Sequence, residues 1–181
     1  MIYGWNKFKG WVVLEYFLGR NKKIHVNGLA KDLKISSSTA QAYLSEYEKE
    51  GILEREKTAN IIIYKLKETP FTLELKKLFT ISKILPFAEQ FQKENQYMNT
   101  LALYGSHAKG TYDEKSDFDL LAISQQKKIS LSALKKLEEK TGKEVRIQVF
   151  TRTEWKNLLK KNDNFAFAVL KNNILLAGEP L

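Results

Sequence analysis

Residues 105 to 120 read GSHAKGTYDEKSDFDL. A short apolar run, Asn99 to Tyr104, ends at Gly105, and a second apolar run, Phe118 to Ile123, begins between two aspartates. Two buried strands joined by a glycine-containing excursion constrain this half of the chain to a sheet. Asp117 and Asp119 are one residue apart at the start of the second strand. A period of two puts both carboxylates on one face, about 6.6 Å apart along the strand, while Phe118 turns to the opposite face. Two carboxylates brought together repel unless a divalent cation lies between them. Gly105 lets backbone amides approach an anion closely, and Ser106 adds a hydroxyl donor. The stretch therefore suits a phosphate held beside a carboxylate-bound metal.

The rest of the composition narrows the metal. The chain of 181 residues has no cysteine and only two histidines, His25 and His107. Disulfides, cysteine nucleophiles and thiolate zinc sites are excluded. Carboxylate ligation favours hard Mg²⁺ or Mn²⁺. A formal net charge of +9 suits nucleic acid or nucleotide phosphates. It suits simple solubility as well. No apolar run reaches the roughly 18 to 20 residues that span a bilayer. Glu15 interrupts the N-terminal apolar stretch, and no small-residue cleavage site follows it. A cytoplasmic location without membrane association is the expectation.

Helical periods continue after the second strand, over Ser130 to Thr141, TRTEWKNLLKK and NFAFAVLKN. Between them Val145, Ile147 and Val149 alternate with Glu144, Arg146 and Gln148, as in a half-buried strand. The expected fold of this half is a small α+β domain with a mixed sheet. A P-loop is rejected, because Thr111-Tyr112 stands where Lys and Ser/Thr are required. The following helix that a P-loop needs is not expected either.

The first half has another pattern. WVVLEYFLG, from Trp11, predicts a helix ending at Gly19. Leu29, Ala30 and Leu33 fall at helical spacing. Ser36 is placed to cap a further helix with Ala40, Leu44 and Tyr47 on one stripe, stopped by Gly51. Ile52–Glu56 and Ile61–Leu66 predict two strands about a turn of residues 57–60. From Phe71, FTLELKKLFTISKILPFAEQFQK is helical in period, and Pro86 is expected to kink or break it. Its many apolar residues suit packing on two domains or on a second copy of the chain.

Two family resemblances follow. Residues from about 8 to 67, above all LAKDLKISSSTAQAYLSEYEKEGILER, resemble a winged helix-turn-helix. That resemblance implies that Ser37, Ser38 and Gln41 could reach base edges or phosphates of double-stranded DNA. Arg55, Lys57, Lys65 and Lys67 would meet phosphates from the wing. Winged helices also serve as protein-interaction modules, and Glu46, Glu48 and Glu50 do not favour DNA. A homodimer is a plausible addition.

Residues from about 97 to 178 resemble the minimal subgroup of the polymerase-β-like nucleotidyltransferase superfamily. Its signature is Gly-Ser, ten residues, then Asp-x-Asp, met here by Gly105-Ser106 and Asp117-Phe118-Asp119. Ala108, Gly110 and Ser116 also match. The resemblance implies that Asp117 and Asp119 hold Mg²⁺ or Mn²⁺ and act in catalysis. It implies that Gly105, Ser106, Lys109, Gly110 and Ser116 line the nucleotide. A hydroxyl of an unknown acceptor would then take a nucleoside monophosphate from an NTP. Active members usually carry a third carboxylate on a neighbouring strand, near Arg146 here. Glu144 lies one strand repeat away. Arg146 could pair with Asp119 or bind a phosphate, and His107, where the subgroup often has arginine, contacts phosphate or faces solvent. The alternative function is a DNA-binding transcriptional regulator whose degenerate nucleotidyltransferase domain only binds nucleotide or metal. The expected order is a winged helix over residues 1–70, a helical connector over 71–96 and a nucleotidyltransferase-fold domain over 97–181.

Overall fold

The computed structural model describes residues 8–20, 22–58 and 60–181. They form two compact units, one ending at Phe79 and one beginning at Thr80. The first contains α1 (Lys9–Leu18), α2 (Val26–Leu33), α3 (Ser37–Lys49) and an antiparallel hairpin of β1 (Leu53–Thr58) and β2 (Ile61–Leu66). Local chemistry sets the helix starts. His25 Nδ1 accepts from the Gly28 amide at 3.1 Å, and Ser36 Oγ accepts from the Thr39 amide at 3.1 Å. After α3, Gly51 takes φ +72°, where it turns the chain toward β1. The isolated residue Ile24 exchanges both backbone hydrogen bonds with Tyr64, at 2.9 and 2.8 Å, on the free edge of β2. Val13, Phe17, Leu29, Ala40, Leu44, Leu53 and Tyr64 are buried together beneath these elements. Ala59 of the predicted turn lies outside the described residues, as does the chain before Phe8.

Helix α4 (Pro70–Glu94) runs unbroken through Pro86. It begins with a reciprocal pair: the Thr69 amide donates to Thr72 Oγ1 at 2.9 Å, and the Thr72 amide donates to Thr69 Oγ1 at 3.2 Å. Pro70 sits in the first turn, where an amide would have no helical acceptor. Pro86 removes one donor from the helix interior. Burial of Ile84, Ala88 and Phe91 on either side of it offsets that loss. The first-unit part of α4 contributes Leu75 and Phe79 to the first core.

The second unit is a four-stranded mixed sheet in the order β5-β4-β3-β6. Here β3 is Met98–Tyr104, β4 Phe118–Ser124, β5 Val145–Phe150 and β6 Ile174–Gly178. Strand β3 is antiparallel to both neighbours, whereas β4 and β5 are parallel. Helix α6 (Ser132–Thr141) connects the parallel pair, as such a crossover requires. Alternation along β4 divides the core. Phe118, Leu120 and Ala122 pack with Ile84, Ala88, Phe91, Leu134 and Leu137 on one face. Leu121 and Ile123 pack on the other with Trp155 of α7 (Arg152–Lys160) and Ala166 and Val169 of α8 (Asn164–Lys171). Thr151 and Glu154 start α7 with a capping box. Strand β6 was not among the predicted elements. Among the described residues no helix is long and apolar enough to cross a membrane.

Candidate functional site

Asp119 lies in β4, paired with Tyr104 of β3 on one side and Arg146 of β5 on the other. Asp117 directly precedes the strand, two residues back and on the same face. That face is covered by α7 and α8 only farther along, at Leu121 and Ile123. Both aspartates remain partly exposed.

Helix α5 (Gly105–Lys109) starts where β3 ends. The glycine-containing excursion between the two strands thus opens on a short helix, with Gly105 and Ser106 as its first residues. Gly105 has φ +73°, and a Cβ there would overlap Asp119 Oδ2. The glycine backbone and the carboxylate therefore meet across a gap that only a hydrogen fills. Gly110, at φ +74°, ends α5, and the Thr111 amide donates to the Ser106 carbonyl at 3.0 Å. The helix begins at the glycine and lasts five residues, so it is no P-loop helix.

Arg146 Nη2 lies 2.8 Å from Asp117 Oδ2. Its Nε lies 3.0 Å from Glu144 Oε1. Of the two expectations for Arg146, pairing with Asp119 or binding a phosphate, the first is corrected: the strand register brings Arg146 level with Asp119, but its guanidinium pairs with Asp117. Burial pushes the Asp119 carboxyl above the usual range, Arg146 opposes that rise, and Asp117 adds to it. Gln148 Nε2 donates to the Tyr104 hydroxyl at 3.2 Å. Burial, with Asp119 adding, raises the Tyr104 phenol. Tyr104 and Gln148 were missed as site residues. Gln148 was legible as a neighbour of Arg146 on the outward face of β5.

The remaining residues divide sharply. Lys109 is exposed and Ser106 half-buried. Ser116 closes a turn: its Oγ donates to Asp113 Oδ1 at 2.9 Å and accepts from the Asp113 amide at 3.0 Å. Lys143 Nζ donates to the carbonyls of Asp113, Glu114 and Ser116 at 3.2, 2.9 and 2.9 Å. His107 neither faces solvent nor offers itself to phosphate. It is 2% exposed, with Nδ1 3.1 Å from Thr80 Oγ1 and its ring stacked on Tyr112 at 4.0 Å. Its neighbours on the helix α4 and the following loop enclose it.

Residues 81–171 match the family described as nucleotidyltransferase domain. This chain belongs to that family. Three solved structures are similar over part of the chain. A protein from Methanosarcina mazei Go1 described as a possible transcriptional regulator is 21% identical, with 50% of this chain and 81% of that one covered and a TM-score of 0.34. A toxin-antitoxin with AMP-PNP is 15% identical over 55% and 73%, with a TM-score of 0.38. A presumed nucleotidyltransferase from Sulfolobus solfataricus is 15% identical over 60% and 87%, with a TM-score of 0.36. No curated protein matches.

Nucleotidyltransferase domains generally use a divalent metal and an NTP. Asp117 and Asp119 offer hard oxygens from one face, the donor type that Mg²⁺ or Mn²⁺ takes. Among the described residues no group of three acids or histidines could hold a metal. The basic Arg146 stands where a third carboxylate was expected, and Glu144 is turned onto it.

In the first unit Ser37, Ser38 and Gln41 are exposed on the first turns of α3. Ser37 Oγ donates to Asn27 Oδ1 at 3.1 Å, Ser38 Oγ lies 2.9 Å from Ser36 Oγ, and Gln41 Nε2 donates to Ser45 Oγ at 2.8 Å. Several hairpin cations are already paired with acids: Arg55 with Glu48 at 2.9 Å, and Lys65 with Glu54 at 3.1 Å and Glu56 at 2.5 Å. Lys57 and Lys67 are exposed.

Proposed function

We propose that this nucleotidyltransferase-family chain is a nucleotide-binding DNA regulator. Its second unit would hold a nucleoside triphosphate and one Mg²⁺ or Mn²⁺ ion at Asp117 and Asp119, beside Gly105, Ser106, Lys109 and Gly110, without efficient transfer. Its first unit would be a winged helix-turn-helix that binds double-stranded DNA. The carrying observation is the Arg146–Asp117 pair at 2.8 Å, in place of a third acid. Arginine cannot ligate a cation or accept the proton of an attacking hydroxyl. Ser116, whose hydroxyl is spent on Asp113, supports the site by shaping the loop. The order of three helices and a hairpin, and the pairing of Ile24 with β2, support the winged-helix reading. Contacts to DNA would then fall on Ser37, Ser38, Gln41 and Lys57, with Arg55 less important because Glu48 holds it.

The second reading is transfer of a nucleoside monophosphate from NTP to a hydroxyl acceptor. Family membership and two aspartates on one face favour it. A triphosphate labelled at the α-phosphate, with excess Mg²⁺, separates the two. Reversible binding with no covalent label, lost in Asp119→Asn, is the expected result. Covalent label that Asp117→Ala abolishes would establish transfer instead.

For DNA, Lys57→Ala is expected to weaken duplex binding and to reduce the slope of log K against log salt by about one. Arg55→Ala is expected to have the smaller effect. Wild-type protein that shows no salt-dependent duplex binding would remove the regulator.

A further inference from the structure

Two aspartates repel one another unless a positive group accompanies them. Here that group is part of the chain. Arg146 leaves β5 level with Asp119, and its Nη2 reaches Asp117 Oδ2 at 2.8 Å. Glu144 holds the same guanidinium through Nε at 3.0 Å and so fixes the orientation of its fork. Lys143 adds positive charge near Asp117, but its ammonium donates to three loop carbonyls and not to either carboxylate. An arginine keeps its charge at every accessible pH, so titration does not remove this counter-charge.

We propose that Arg146 is the resident counter-ion of the aspartate pair and sets the order of binding. A bare divalent ion is disfavoured, and the ion binds preferentially together with a nucleoside triphosphate. The inference rests on the reading that nucleotide occupies the Asp117–Asp119 face. An ion arriving alone must displace the guanidinium or share the site with a like charge. A triphosphate brings anionic oxygens that a guanidinium grips in bidentate fashion, so Arg146 can leave Asp117 for a phosphate. The side chain is 59% exposed, which leaves it room to move. Arg146 thereby acts as a specificity-determining residue that favours metal–nucleotide over bare metal.

The test is a Mn²⁺ titration of the full chain, read by the EPR signal of the free ion. It is run with and without a triphosphate whose α–β bridge cannot be cleaved. Without nucleotide, Arg146→Gln is expected to bind Mn²⁺ roughly tenfold more tightly than wild type, the scale of one lost charged contact. Asp119→Asn in that background should remove the gain. With the triphosphate, wild type should take up Mn²⁺ and close most of the difference. Wild type that binds bare Mn²⁺ as tightly as Arg146→Gln overturns the proposal and leaves the nucleotide reading standing. If neither protein binds Mn²⁺ or triphosphate, both fall. Lys136→Gln removes an exposed charge on α6, and an equal gain there would also overturn the specific role of Arg146.

Discussion

Alanine at position 105 is expected to lower triphosphate affinity by about tenfold to a hundredfold, the range seen when a metal ligand loses its support. Gly105 has φ +73°, and its added Cβ would overlap Asp119 Oδ2. The obstructing atom is the end of a side chain. Asp119 can rotate away, so the overlap is relieved by moving the group that the site needs. The cost to folding should then be close to that of placing alanine in the left-handed region, about 1–2 kcal/mol. Gly142→Ala is the matched control. Its φ is +67°, and no atom lies within 4 Å of the added Cβ. Anisotropy of a fluorescent triphosphate should separate the variants, whereas their melting temperatures should nearly coincide. Equal triphosphate affinity in Gly105→Ala and Gly142→Ala would mean that Asp119 does not contact the ligand.

Gly178→Ala should show the opposite balance. Gly178 has φ +83°, and a Cβ there would overlap the Asn99 carbonyl oxygen, with the Asn99 carbonyl carbon at 2.8 Å. Both atoms are backbone and cannot rotate aside. Relief requires β6 to separate from the start of β3, where Thr100 pairs with Gly178 and the Glu179 amide donates to the Asn99 carbonyl at 2.9 Å. We expect a loss of at least about 3 kcal/mol, conformational strain plus broken strand pairing, and a fall in melting temperature of more than about 10 °C. Thermal denaturation by circular dichroism measures it. A melting temperature equal to that of Gly142→Ala would show that the strand end shifts freely.

Those two glycines illustrate what was legible in the residues and what was not. The face shared by Asp117 and Asp119 follows from period two alone, and the serine and threonine caps follow from local hydrogen bonding. Helices over the second half were readable for the same reason. By contrast, Ile174–Gly178 pairs with a strand more than seventy residues earlier. Four apolar residues in a row do not distinguish strand from helix, so its pairing leaves no local mark. The alternation around Arg146 identified its face. Its partner depended on the register of β5 against β4 and on how the guanidinium divides between Glu144 and Asp117. His107 sits inside the signature stretch, but its environment comes from Thr80 and Tyr112, outside any periodic pattern that includes it. Pro86 reads locally as an interruption; tertiary burial of its neighbours outweighs that signal.

The Lys143 ammonium, joined to three carbonyl oxygens of one loop, bears on how that loop would receive a ligand. The segment 113–116 is tethered by a side chain two residues before β5, so little chain freedom remains to be surrendered when a ligand arrives. Preorganisation of this kind favours fast docking and a small entropic penalty. It also makes Lys143→Met a way to loosen the rim, at the cost of one positive charge near Asp117.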